Sequence, residues 1–177
     1  MIRTQMADLV GDGAPFPAPL EPDARPEIFL SDALADDHRS WVPQAPEVWF
    51  KPLCLCVTQG FYVNLLRVRR SGVLSCHRHS GIVHAQVLKG RWYYLEHDWV
   101  AEEGSYVMET PGETHTLVVP PNVPEMLTWF HVSGGYVYVD PDGRPTGYED
   151  VFTKIARARE HYSSVGLPMK DLDRLIR

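Results

Sequence analysis

The chain has 177 residues, 44% of them hydrophobic and 23% charged, with a formal net charge of −6, the composition of a globular domain able to bury its own core. An acidic balance with no Lys/Arg cluster predicts no nucleic-acid partner and no attachment to an anionic membrane surface. No apolar run approaches the roughly 20 residues of a membrane span. Met1 to Val10 lacks an apolar signal core, so a cytoplasmic location is expected. The odd set of three cysteines, Cys54, Cys56 and Cys76, has no Cys-x-x-Cys spacing and reads as reduced, mostly buried thiols.

Residues 1–46 are expected to form a proline-rich arm. The run Gly11-Asp-Gly-Ala-Pro-Phe-Pro-Ala-Pro-Leu-Glu-Pro cannot be helical, because proline lacks the amide donor and restricts its predecessor. Trp41, Trp49 and Phe50 are too apolar for a free tail and should pack on the domain or on a neighbouring subunit. Residues 47–140 read as a β-barrel. Segments rich in β-branched and aromatic residues recur at Phe61–Arg69, Ile82–Leu88, Arg91–Glu96, Ser105–Met108, His115–Val119, Met126–Val132 and Tyr136–Val139. Turn chemistry at Ser71-Gly72, Lys89-Gly90, Glu103-Gly104, Pro111-Gly112 and Ser133-Gly134-Gly135 separates them. Such spacing predicts an all-β barrel or sandwich. Residues 141–177 turn helical. Thr146-Gly-Tyr-Glu149 resembles a capping box, followed by Val151, Phe152, Ile155, Arg159 and Tyr162 at helical spacing. Gly166 should stop that helix and Pro168 start a short terminal one. The helices are expected to lid one barrel end or to join subunits into a dimer or tetramer, with no part in chemistry.

The stretch from Gly72 to His115 carries the chemistry. In an extended His77-Arg-His79 segment both imidazoles share a face, because side chains alternate with period 2. His115 arrives from a later strand after the Pro111-Gly112 turn. Imidazole is the commonest protein ligand of a divalent transition metal, so His77, His79 and His115 are the expected metal ligands. Cys76 has the opposite parity and should point away. Alternation places Trp92, Tyr94 and Glu96 on one face. If that face is the interior, Glu96 is a candidate proton acceptor or carboxylate ligand; otherwise it is a rim residue paired with an arginine. Arg69, on the same strand face as Arg67, is a candidate partner for an anionic substrate group, or else a solvated exterior arginine. Tyr94, Trp92 and Trp129 would form an aromatic wall for a flat phenolic ligand, or simply barrel core. His38, His97, His131 and His161 have no expected role.

Gly72…His77-x-His79…Gly90 and Gly104…Pro111-Gly-x-x-His115 resemble the two motifs of the cupin superfamily, which implies a single-domain cupin barrel. That superfamily carries a Glu five residues after the second His. His84 stands there in this chain, so the resemblance implies an inward-pointing His84, either as a fourth ligand or as an acid/base group. A closer likeness covers most of the chain. Val48-Trp-Phe-Lys-Pro-Leu, Val63-Asn-Leu-Leu-Arg, Leu88-Lys-Gly-Arg-Trp, Tyr94-Leu-Glu-His-Asp-Trp, Pro111-Gly-Glu-Thr-His-Thr and Gly147-Tyr-Glu-Asp-Val resemble the 2,4'-dihydroxyacetophenone dioxygenase family. That implies Fe(II) as cofactor, O2 and a small aromatic 2-hydroxyketone as substrates, and cleavage to 4-hydroxybenzoate and formate, with His84 or Glu96 as base. A metal-binding cupin sensor and a metal-dependent isomerase are the alternatives, which fold alone does not exclude.

Overall fold

The computed structural model describes residues 21–177; the first part of the expected arm, residues 1–20, lies outside them. Twelve strands follow one another: β1 (Val42–Ala45), β2 (Val48–Cys56), β3 (Phe61–Val68), β4 (Gly72–His79), β5 (Val83–Lys89), β6 (Arg91–Tyr94), β7 (Ala101–Glu102), β8 (Tyr106–Glu109), β9 (Thr114–Val119), β10 (Met126–Ser133), β11 (Tyr136–Val139) and β12 (Pro145–Glu149). Helices α1 (Val151–Ser164) and α2 (Met169–Asp173) close the chain. The strands form two six-stranded sheets, ordered β1-β2-β3-β10-β5-β8 and β12-β11-β4-β9-β6-β7. The all-β cupin architecture expected from the sequence is what the chain adopts.

Strands β5, β6 and β10 bury alternate residues, and the core fills the space between the sheets. Met126, Thr128, Phe130 and Val132 of β10 point in, as do Val83, Ala85 and Val87 of β5. From the other sheet Trp92, Tyr94, Leu117 and Val119 meet them. Glycine is required at the β10–β11 turn. Gly135 has φ +106°, and a Cβ there would collide with the Glu149 carbonyl.

Residues 26–36 run along the outside. The Pro26 carbonyl accepts from Arg177, and the Asp32 and Ala35 carbonyls accept from Lys51 Nζ, each at 3.2 Å for the lysine pair. Trp41 is buried, with the Arg67 guanidinium 3.8 Å above its ring. Helix α1 begins later than the Thr146–Glu149 pattern suggests. That stretch is strand β12, and the reciprocal cap is made by Asp150 and Thr153, whose backbone amides each bond the other's side chain at 2.8 Å. The buried face of α1 is Val151, Lys154, Ile155, Ala158 and Tyr162, while Phe152 is 61% exposed. Backbone bonds between Leu55 and both Leu175 and Arg177 tie the C-terminus to β2. No described helix is long and apolar enough to cross a membrane.

Candidate metal centre

Antiparallel pairing sets His77 of β4 directly opposite His115 of β9. His79, two residues along β4, falls on the same face. One ligand nitrogen from each of the three imidazoles lies within 4.8 Å of the other two. All three side chains are buried, with His115 fully so. Burial pushes the His77 imidazole well below its ordinary pKa, reinforced by His79 and His115; burial likewise lowers His115. Neutral rings keep the lone pair that a metal needs.

The fourth member of the cluster was not legible in the sequence. Glu109, the last residue of β8, reaches across from the opposite sheet and is buried. Its Oε2 lies 2.9 Å from His79 Nε2 and 3.6 Å from His115 Nε2. Neither approach has hydrogen-bond geometry: both ring nitrogens of His79 and of His115, and Glu109 Oε2, have no hydrogen-bond partner among the described residues. Leaving so many buried polar atoms unpaired would cost about 1–3 kcal/mol each. A cation between the rings would take one nitrogen of each imidazole, with Glu109 Oε2 beside it, so the three-histidine set fits a divalent transition metal. Two contacts orient the set. Ser75 Oγ lies 3.1 Å from His77 Nδ1, which leaves Nε2 for the centre. The Tyr94 hydroxyl donates to Glu109 Oε1 at 2.8 Å, leaving Oε2 for the centre.

His77, His79 and Glu109 of the cluster line a cavity of about 110 Å³ between the sheets, with His115 behind them. That is somewhat below the roughly 150 Å³ of a cavity that admits benzene. Tyr62, Leu66, Leu74, Phe130, Val132 and Tyr136 supply much of the lining.

Tyr94 is where the sequence puts it, in the cavity wall, and its ring stacks on His115. The other expected partners of the metal trio lie elsewhere. His84 is on the outer face of β5, where alternation buries Val83, Ala85 and Val87; its Nδ1 lies 2.7 Å from the Tyr106 hydroxyl. The inward orientation expected of His84 is therefore wrong by strand parity. Glu96 fails because β6 ends at Tyr94 and the chain turns, so alternation no longer holds. Its exposed carboxylate accepts from Thr116 N at 2.7 Å and Thr116 Oγ1 at 2.8 Å. Partial burial raises the Glu96 pKa, but these bonds outweigh it and hold the group below its ordinary value. Arg69 is exposed and bonds Glu125 at 2.7 Å. Trp129 occupies the outward register of β10. Trp92 is core behind Tyr94, its Nε1 donating to Thr128 at 3.1 Å, and it does not line the cavity.

Residues 31–136 match the family model of the ChrR cupin-like domain. The chain belongs to that cupin family. An RmlC-like cupin protein from Ralstonia eutropha JMP134 is 30% identical, with a TM-score of 0.70 over 72% of this chain and 84% of that one. A cupin-like protein of unknown function from the same organism is 24% identical, TM-score 0.65, over 68% and 75%. The acetylacetone dioxygenase of Acinetobacter johnsonii shares the fold at 14% identity, TM-score 0.66, over 81% of this chain and 97% of its own. No curated protein sequence matches the chain.

Proposed function

We propose that this cupin is a non-haem Fe(II) dioxygenase that cleaves the carbon–carbon bond between the carbonyl and hydroxymethyl carbons of an aromatic 2-hydroxyketone. With 2,4'-dihydroxyacetophenone, one O2 is consumed and both its atoms enter the products, 4-hydroxybenzoate and formate. The observation that carries this reading is the meeting of three buried imidazoles and one buried carboxylate, with His77, His79 and Glu109 on the wall of a cavity between the sheets. A neutral three-histidine set leaves a divalent ion its full charge and open positions for an oxygen chelate. The shared fold of a dioxygenase named for acetylacetone, itself a compact oxygen chelate, supports the same class of substrate.

His77, His79 and His115 would hold the ion, which when bound supplies Lewis-acid polarisation of the hydroxyketone oxygens and a redox-active centre for O2. Glu109 is the proton acceptor. Its Oε2 faces the centre while Oε1 is tied to Tyr94, so one oxygen is positioned and the other is available. Apolar walls at Leu74, Phe130 and Val132 exclude water around the reacting carbons.

The test is oxygen uptake by Fe(II)-loaded protein with 2,4'-dihydroxyacetophenone, with the products quantified. The expected result is equimolar 4-hydroxybenzoate and formate, one of each per O2. Metal-loaded protein that consumes no oxygen across aromatic 2-hydroxyketones would overturn the reading in favour of a metal-binding sensor, and anaerobic turnover would favour an isomerase.

A further inference from the structure

A second polar cluster faces the same cavity as the His trio, and helix α1 supplies its centre. The Lys154 side chain is 3% exposed and lines the cavity, as do Gln44, Tyr62, Tyr136 and Tyr138. Its Nζ donates to Gln44 Oε1 at 2.6 Å and lies 3.2 Å from Glu149 Oε2. The ammonium also sits 4.3 Å from the Phe50 ring centroid and 5.5 Å from that of Tyr62. Lysine is almost never fully buried unless paired, and here the pairing is lopsided. Arg157 already engages the other oxygen of Glu149 at 2.9 Å, so two cations share one carboxylate. Asp150, the next acid, is occupied by its cap on Thr153.

Two donors can still take a ligand oxygen. An ammonium has three N–H groups and only two of them have the partners just named. The Tyr62 hydroxyl, 1% exposed and near that of Tyr136, has no hydrogen-bond partner of normal geometry among the described residues. Burial raises the pKa of Tyr62, Tyr136 and Tyr138, so all three remain neutral donors. The cluster and the trio lie along one cavity. The Tyr136 ring packs 5.0 Å from the His77 ring, and Gln44 Nε2 reaches the hydroxyls of Tyr136 at 3.4 Å and Tyr138 at 3.5 Å.

We infer that Lys154 and Tyr62 form an oxygen-binding subsite that takes the ring hydroxyl of a phenolic ligand whose opposite end lies at the imidazole trio. The inference deepens the dioxygenase reading by naming the group that selects a 4-hydroxyphenyl substrate, and it rests on that reading for the placement of the other end. A purely structural Lys154 would need its Glu149 and Gln44 contacts but no ligand, and Tyr62 would be replaceable by phenylalanine without consequence.

Binding is measured by calorimetry on Zn(II)-loaded protein, which is redox-silent, with 4-hydroxyacetophenone and its size-matched analogue 4-methylacetophenone. The wild type is expected to prefer the hydroxyl compound by about tenfold or more, because the analogue leaves buried donors unpaired. Tyr62→Phe, which removes a single oxygen, and Lys154→Met should each reduce that preference to roughly threefold or less. A wild type without preference, or a Tyr62→Phe protein of unchanged melting temperature and undiminished preference, would overturn the subsite. Because the readout is binding, absence of oxygen uptake would sink the dioxygenase reading and leave the subsite result standing.

Discussion

The Tyr94 ring stacks on the His115 imidazole, with centroids 3.7 Å apart and planes 6° from parallel, while its hydroxyl holds Glu109. One side chain thus fixes both a ligand candidate from one sheet and the carboxylate from the other. The two roles separate by mutation. Tyr94→Phe keeps the stacked ring, so metal content should be unchanged, but an untethered Glu109 should lower turnover by ~10–100-fold. Oxygen uptake alongside metal analysis of the same sample checks both halves.

Glu109→Gln keeps an acceptor for Tyr94 and removes the proton acceptor. Turnover should fall by about 10²–10⁴-fold, with metal retained by the three imidazoles. Loss of the metal from this variant would instead make Glu109 a ligand on which the centre depends.

His84→Ala and Glu96→Gln provide the contrast. Neither side chain touches the cavity, so kcat and KM should each stay within about twofold of wild type. Loss of the charged bonds from Glu96 to Thr116 should cost at most about 1–3 kcal/mol of stability, read as a small drop in the melting temperature.

Lys154 makes a pH prediction. Its pKa is lowered from 10.5 to about 8, first by burial and against the pull of Glu149. An unfolded chain holds this proton to higher pH than the folded one, so unfolding takes up a proton in that interval and stability from this group rises with pH. The facing tyrosines, raised by burial, act in the opposite sense above pH ~10. Wild type should therefore gain stability relative to Lys154→Met between pH ~8 and ~9.5, by about 1–2 kcal/mol. Paired denaturant titrations across that window measure the difference.

Gly135→Ala tests the β10–β11 turn where it packs against the end of β12. With a positive φ and a collision against the Glu149 carbonyl, it should lose about 2 kcal/mol or more. Because Glu149 pairs with Lys154, selection for the phenolic hydroxyl should weaken in the same variant.

Much of the barrel was legible because strand burial follows a period of two and glycine-bearing turns punctuate it. Tyr136–Val139 is strand β11 with the expected bounds, and the other six segments given bounds each lie within a residue or two of a strand, while β12 occupies a stretch expected to cap a helix. The trio was legible for the same reason: His77 and His79 are two apart on one strand, and a turn brings His115 opposite. The inward His84 came from the cupin resemblance and ran against the alternation of Val83, Ala85 and Val87, which puts it on the outer face. Glu96 shows that alternation does not report where a strand stops. Glu109 went unseen because its importance comes from the facing sheet, although its place as the last strand residue before Thr110-Pro111-Gly112 was a usable signal. Lys154 went unseen because a lysine at a helical core position reads as a solvated side chain until the helix is docked on the barrel.

The most direct test of the central claim is metal analysis of wild-type and His115→Ala protein after equilibration with Fe(II) under argon and removal of free ion. The account predicts close to one iron per wild-type chain and less than a tenth of that in the variant, with both proteins folded. Iron retained at full stoichiometry by His115→Ala, or absent from the wild type, would contradict it.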